Sequence, residues 1–524
     1  MVNYLDILAE TIRTNWDQPA LTDFYLTEDG TAQDTTRGNH YTYGGMYAEL
    51  CRVAELLTSL GLQKGDHIAI CGANSAHWCI AYLAIAKLQG VSVTVMHSLM
   101  PDEIARLIAF SDAKALFTDA DIWAELKSQS IPQVESVIGL ENWEVLKGKM
   151  QIISLPFREE LEVGFPSFPS FSPDDLVMIC FTSGTSGKPK GVMLSHGNIG
   201  HGVHVSLDSM PDCTRKNYLS VLPFPHIFGF VGDVIDHLIR AHHICICTEI
   251  SRINEAVDIV HPYFYMTVPM LLETILTKEN QSQFDFKWVN LGGAKISEKL
   301  RMAINSSHIK YAIMYGATEC LLAANSEPSA HQNPDCVGRA CEGVSISISP
   351  AGEILVKGNN VMLGYYKDPE ATAAKIDSDG WLHTGDKGHL DKDGYLYVEG
   401  RLEQDIIVLP NGENIRPDNI EALINALPEV SESLVLARDG HLVAIVVPSI
   451  VSSATSASRE TIATSETSET SETSASIPSS SLRRKTLREI NPQLPLFSQL
   501  YDVEITDTPL RRTEKQTLKR YLYS

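Results

Sequence analysis

The chain has 524 residues, of which 44% are hydrophobic and 20% charged, as in globular proteins. This length exceeds what one ordinary core holds, so it predicts two or three domains. The formal net charge of -23 argues against a general nucleic-acid binder, because phosphate backbones are bound by clustered lysines and arginines.

Residues 42–120 alternate amphipathic helices with short apolar strands. Helices are predicted over "TYGGMYAELCRVAELLTSLGL", "AHWCIAYLAIAKLQG" and "DEIARLIAFSD", and strands over "DHIAICG", "VSVTVM" and "KALFTD". This alternation indicates a layered α/β fold with a parallel sheet, and it continues from Asp175 to about Thr318. The most apolar window, Trp78 to Met96, contains Lys87, so we expect a buried helix running into a buried strand rather than a membrane span.

The pattern changes in the last third of the chain. From Gly352, "GEILVKG", "GWLHTGDKGHL" and "GYLYVEGR" predict a small β-rich subdomain with Asp-Gly turns. After Arg401 the pattern is mixed and predicts a small α+β domain. We therefore expect a large N-terminal domain over 1–400 and a C-terminal domain over 401–524. Within the latter, 451–481 contains a Thr-Ser-Glu repeat with few large apolar residues and is expected to be disordered.

The ten cysteines include no Cys-x-x-Cys pair, which favours a reducing compartment without structural disulfides. The N-terminal segment carries Asp6 and Glu10 and has no basic start before an apolar run. We therefore expect no signal peptide and a cytoplasmic location.

The strand "DLVMICF" runs into the loop "FTSGTSGKPKG". Gly184 and Gly187 allow the backbone to turn its amides inward, and Lys188 and Lys190 add positive charge. Such a loop suits a polyphosphate. It is not a Walker A loop, because that pattern needs Gly-Lys-Ser/Thr five residues after a first glycine, which disfavours a P-loop NTPase or kinase.

Six motifs follow one another in the order found in a known family. They are "FTSGTSGKPKGVMLSHGNI", "LPFPHIFGF", "LGGAKIS", "YGATE", "GWLHTGD" and "GYLYVEGR". In this set the chain resembles the adenylate-forming (AMP-binding) superfamily, and "VLPNGENIRPDNIE" resembles its acyl-CoA synthetase and fatty acid–CoA ligase branch. The resemblance covers nearly the whole chain apart from the Ser/Thr-rich insert. It implies a small C-terminal domain that is mobile relative to the large one.

The resemblance also implies the roles of the site residues. Thr318 would contact the α-phosphate of ATP, and Glu319 would bind Mg²⁺. Phosphate oxygens and water would complete the coordination of the ion. His226 would lie between the carboxylate and coenzyme A sites. The β- and γ-phosphates would be held by the loop residues Thr182, Ser183, Gly184, Thr185, Ser186, Gly187 and Lys190.

The remaining implied contacts are to the nucleoside. Tyr315 offers a flat face for adenine, and the backbone at Gly293 and Ala294 would line the same pocket. Asp386 can accept both ribose hydroxyls, and Arg401 can hold ribose or phosphate.

The tail "DTPLRRTEKQTLKRYLYS" departs from the family's closing segment, whose lysine bridges the carboxylate and the α-phosphate. An ungapped alignment of "LKRYLY" puts Thr517 in that position, whereas a shift of two residues puts Lys515 there. Lys519 is the other candidate, and Lys515 is our prediction. Glu403 occupies the hinge position, where the family mostly has Asp or Lys.

These features predict an acid–thiol ligase that forms an acyl-CoA from ATP, coenzyme A and a carboxylic acid, through an acyl-AMP. The acid is expected to be apolar, a medium- or long-chain fatty acid, so that membrane contact would arise only through a lipid substrate. The alternatives are an acyl-AMP ligase that loads a carrier protein, and a degenerate acyl or nucleotide binder without catalysis. The sequence does not predict an oligomeric state.

Overall fold

A computed structural model describes residues 3–148, 164–182, 189–209, 213–276, 287–296, 298–307, 309–326, 335–402, 406–449, 479–511 and 523. The chain divides into two compact units. The large unit comprises Met1–Gln404 with Pro410–Gly412, and the small unit comprises Asp405–Leu409 with Glu413–Ser524. The domain boundary predicted near residue 400 stays a prediction.

The described helices, α1 to α13 in chain order, are Tyr4–Thr14, Tyr43–Ser59, Ala76–Leu88, Pro101–Phe110, Ala120–Leu126, His196–Ser209, Asp236–Ile239, Ile253–Val260, Pro269–Leu276, Glu298–Ser306, Pro369–Lys375, Pro417–Asn425 and Ser479–Ile490. A π-helix spans Phe228–Ile235, and 3₁₀ turns span Ile250–Arg252, Asn491–Gln493 and Leu496–Ser498.

The described strands, β1 to β26 in chain order, are Pro19–Phe24, His40–Thr42, His67–Cys71, Val91–Thr94, Ala115–Thr118, Ser136–Gly139, Val145–Lys147, Leu176–Thr182, Lys190–Ser195, Asn217–Ser220, His243–Cys247, Phe264–Thr267, Trp288–Leu291, Lys310–Ala317, Leu321–Asn325, Cys336–Ala340, Val344–Ile348, Glu353–Gly358, Gly364–Tyr365, Leu382–Leu390, Leu396–Arg401, Ile407–Val408, Asn414–Ile415, Val430–Arg438, His441–Pro448 and Leu500–Ile505.

One sheet of the large unit contains the strands predicted between residues 42 and 120. Its order is β19-β9-β8-β4-β3-β5-β6-β7, and the five strands from β8 to β6 pair in parallel. Helix α3 is buried along nearly its whole length because it packs against this sheet on one side and other core elements on the other. The predicted α/β alternation is confirmed here, and the window from Trp78 to Met96 is a buried helix followed by a buried strand.

The other sheet is longer and joins two predicted regions. Strands β1, β11, β10, β12, β13 and β14 pair in parallel, and β15, β16, β21, β20, β18 and β17 continue the sheet in antiparallel pairings. The predicted β-rich subdomain is therefore an extension of this sheet. The extension carries the polar residues of the Thr-Gly-Asp and Gly-Arg motifs.

In the small unit, the sheet β24-β25-β26 packs with α12 and α13 around an apolar core. This composition agrees with the predicted α+β character. Residues 451–478 of the predicted disordered insert lie outside the described residues. The last three residues of that prediction, 479–481, are instead helical and begin α13. In the part of the chain that is described, no helix combines the length and apolarity needed to cross a membrane.

A buried carboxylate, Asp233, lies in the π-helix. Its oxygens accept hydrogen bonds from the hydroxyls of Tyr218 (2.5 Å) and Ser220 (3.0 Å), yet burial raises its pKa from 3.8 to about 7. Between those pH values the folded chain holds a proton that the unfolded chain releases. This group therefore makes the free energy of unfolding fall as pH rises through that window.

Asp233→Asn is expected to remove this contribution, which is at most about 1.4 kcal/mol per pH unit. Urea unfolding of both proteins from pH 4 to 8 measures it as a difference between two curves. The exposed Asp393→Asn is the control, and parallel curves for Asp233→Asn and wild type would contradict the prediction.

Candidate active site

The hydroxyl- and glycine-rich loop connects two paired strands. Strands β8 and β9 are antiparallel, and the last pair of their register joins Thr182 to Lys190. The two ends of the loop are therefore held side by side at the carboxyl end of β8. The predicted loop residues between them, Ser183, Gly184, Thr185, Ser186 and Gly187, lie outside the described residues.

His226 precedes the π-helix and is half-buried. Its backbone amide donates to the carbonyl of Pro223 at 3.1 Å, which closes a turn. A Cβ on Gly229 would stand 2.2 Å from that same carbonyl oxygen, so this close approach requires glycine. The ring of Phe228 lies close to Gly292, because its Cζ atom would stand 3.0 Å from a Cβ added to that glycine.

Gly293 and Ala294 follow β13, and Tyr315 lies near the end of the neighbouring β14. The two strands are parallel, so these residues come to the same edge of the sheet. Gly293 has φ +79°, a conformation that glycine adopts without strain. The backbone of this segment and the tyrosine ring thus occupy the position typical of ligand sites in α/β sheets.

The nucleoside residues predicted from separate motifs are in direct contact. Tyr315 donates its hydroxyl to Asp386 Oδ2 at 2.8 Å, and Arg401 Nη1 lies 3.2 Å from Asp386 Oδ1. The last two residues are register partners on β20 and β21. Burial raises the pKa of Asp386, and the charge of Arg401 opposes that shift. The carboxylate of Asp386 is thus held between a hydroxyl donor and a guanidinium.

A further carboxylate, Glu353, supports the segment of β20 that carries Asp386. It accepts hydrogen bonds from the amide of Gly385 (2.9 Å) and from His383 Nδ1 (2.9 Å). Thr384 donates to the carbonyl of Ile354 and accepts from the amide of Asp386. The sequence analysis did not identify Glu353. The only signal in the sequence was its position as an acidic residue at the start of the apolar strand β18.

Thr318 and Glu319 lie half-buried in the tight turn between β14 and β15. The hydroxyl of Tyr365 donates to Glu319 Oε1 at 2.9 Å. The charge of Glu319 also contributes to raising the pKa of Asp386, so the two carboxylates interact electrostatically. The sequence analysis did not identify Tyr365 as a site residue.

Lys515, Thr517, Lys519 and Glu403 lie outside the described residues. Among the described residues, no group of three or more His, Cys, Asp and Glu side chains could hold a metal ion. A divalent cation at Glu319 would therefore need oxygens from a substrate or from water.

Asp386→Asn is expected to raise the KM for ATP by roughly 10- to 100-fold, because a hydrogen bond to a charged acceptor contributes about 1.5–3 kcal/mol. Steady-state kinetics with ATP as the varied substrate measures this, and the KM for the acid is the internal control. An unchanged KM for ATP would remove Asp386 from the nucleotide site.

Comparison with known proteins agrees with these motifs. The family model of AMP-binding enzymes matches residues 8–366, and the model of the AMP-binding enzyme C-terminal domain matches residues 404–523.

Two curated relatives are CoA ligases. One, 3-[(3aS,4S,7aS)-7a-methyl-1,5-dioxo-octahydro-1H-inden-4-yl]propanoyl:CoA ligase of Rhodococcus jostii, is 29% identical over 75% of this chain and 80% of its own length. The other, indoleacetate–CoA ligase of Aromatoleum aromaticum, is 28% identical over 77% and 83%.

A solved structure of o-succinylbenzoate CoA synthetase from Bacillus subtilis has a TM-score of 0.74 and 22% identity, covering 99% of this chain and 98% of that one. The chain therefore belongs to the AMP-binding enzymes, the adenylate-forming superfamily, in the acyl-CoA synthetase branch.

Proposed function

We propose that the protein is an ATP-dependent acid–thiol ligase, which converts a carboxylic acid to an acyl-AMP with release of pyrophosphate and then transfers the acyl group to coenzyme A. The observation that carries this proposal is the contact of Tyr315 and Arg401 with the half-buried Asp386. That cluster suits a ribose and its phosphate, and the CoA ligases among the relatives favour a thiol acceptor.

The residues fit ATP with a magnesium ion. A carboxylate offers about four lone-pair positions, so the hydrogen bond from Tyr365 leaves Glu319 able to bind a cation. The ion would neutralise charge on the phosphate oxygens. Asp386 would accept the ribose hydroxyls while Tyr315 and Arg401 hold its orientation.

Lysine side chains and hydrogen-bond donors would stabilise the negative charges of the phosphates and of the reacting groups. Lys190 and the backbone of its loop would hold the outer phosphates, and Thr318 would donate to the α-phosphate. Lys515 would stabilise the negative charge that develops between the carboxylate and the α-phosphate. The small domain, over 401–524, would then reposition about Glu403 so that the thiol can attack, with His226 between the two sites.

The acid is proposed to be apolar, with a medium- or long-chain fatty acid as the first choice. Phe228 and Leu322 are half-buried beside the site segments and are the best candidates to line its pocket. Phe230 is not among these candidates, because it packs against Trp78 and Tyr82 in the core, with ring centroids at 5.2 and 4.2 Å.

Pyrophosphate release from Mg-ATP tests the proposal, using straight-chain fatty acids and ring-bearing acids, each with and without coenzyme A. Release with an apolar acid and formation of its acyl-CoA would support the ligase. Acyl-AMP that accumulates with CoA present would favour transfer to a carrier protein. Binding of ATP with no release from any acid would favour the non-catalytic binder.

A further inference from the structure

Tyr365 lies where two of the proposed catalytic regions meet. It belongs to the two-residue strand β19, which pairs with β9 through Tyr365–Val192, and its side chain is 4% exposed. Its backbone amide also donates to Oγ1 of Thr372, in the middle of α11, at 2.8 Å. Backbone pairing and this hydrogen bond hold the tyrosine in one place.

The side chain of Tyr365 contacts both a carboxylate and an ammonium group. Its hydroxyl donates to Glu319 Oε1 at 2.9 Å, and the ammonium of Lys190 lies 4.8 Å from the centre of its ring. The two charged residues are far apart in sequence.

We propose that Tyr365 is a positioning residue for the magnesium–phosphate step: its hydroxyl orients the carboxylate of Glu319, and its ring orients the ammonium of Lys190. The inference rests on the proposed function, which gives Glu319 the metal and Lys190 the phosphates. A long flexible side chain that is already oriented loses less conformational entropy when it binds its ligand. Hydrogen bonds from an outer residue to a metal ligand affect metal affinity by roughly 10- to 100-fold.

The next residue provides a matched control. Tyr366 also donates its hydroxyl to a carboxylate, at 2.8 Å, but that carboxylate is the exposed Asp112. Tyr366→Phe thus removes the same type of hydrogen bond, one position away, from a different part of the large unit. Tyr365→Phe keeps the ring beside Lys190 and removes only the bond to Glu319.

The test is calorimetric titration of Mg²⁺ into the full-length protein preloaded with a non-hydrolysable ATP analogue. Tyr365→Phe is expected to weaken Mg²⁺ binding by about 10-fold, and Tyr366→Phe to leave it unchanged. Magnesium dependence of pyrophosphate exchange should shift in the same way. Since the titration needs no acid, it also gives a result if the ligase proposal fails.

A double variant separates positioning from general destabilisation. If Tyr365 acts through Glu319, adding Tyr365→Phe to Glu319→Gln should not weaken Mg²⁺ binding further. Equal Mg²⁺ affinities for wild type and Tyr365→Phe would overturn the proposal. Additive losses in the double variant, or the same shift in Tyr366→Phe, would overturn it as well.

Discussion

Lys515→Ala is expected to slow acyl-AMP formation by about 100- to 1,000-fold, because the developing negative charge would lose its fixed cation. Pyrophosphate release in a single turnover, with saturating ATP and acid, measures this step. Transfer of the acyl group from supplied acyl-AMP to coenzyme A should change little, since the bond between the α- and β-phosphates of ATP is then already broken.

Lys519→Ala is the control, because it removes a lysine of the same tail four positions away. A large loss in Lys519→Ala with none in Lys515→Ala would move the role to Lys519. Normal rates in both variants would leave Thr517 in the family's lysine position, and the enzyme would then need another cation.

Gly316→Ala is expected to disrupt the turn that carries Thr318 and Glu319. A Cβ on Gly316 would stand 1.7 Å from the carbonyl oxygen of Leu321, which is backbone and cannot rotate away. Leu321 itself has φ +46°, so the turn has little room to relax. We expect the free energy of unfolding to fall by about 1–3 kcal/mol and kcat/KM to fall by about 100-fold.

Gly164→Ala is the matched control, because nothing lies within 4 Å of its added Cβ. Urea unfolding and pyrophosphate release on both variants separate loss of stability from loss of geometry. A Gly316→Ala protein with wild-type kinetics would show that the turn between β14 and β15 does not position the site.

The sequence by itself determined the elements and most of the proposed site residues. Burial patterns are local, so the alternation of helix and strand between residues 42 and 120 could be predicted from spacing alone. The ordered motifs likewise identified Tyr315, Asp386 and Arg401 individually. Their roles came from the family resemblance, since an isolated tyrosine or aspartate has no specific chemical meaning.

The tertiary structure decided which of these residues touch. Tyr315 and Asp386 are 71 positions apart on strands of one sheet, and Glu319 and Tyr365 are 46 apart on elements of two different sheets. Only the tertiary arrangement brings each pair together. The same holds for Glu353 on β18, whose carboxylate accepts from the amide next to Asp386 on the paired strand β20. Local patterns specify which face of a strand is buried, whereas contacts between distant side chains depend on strand order and register.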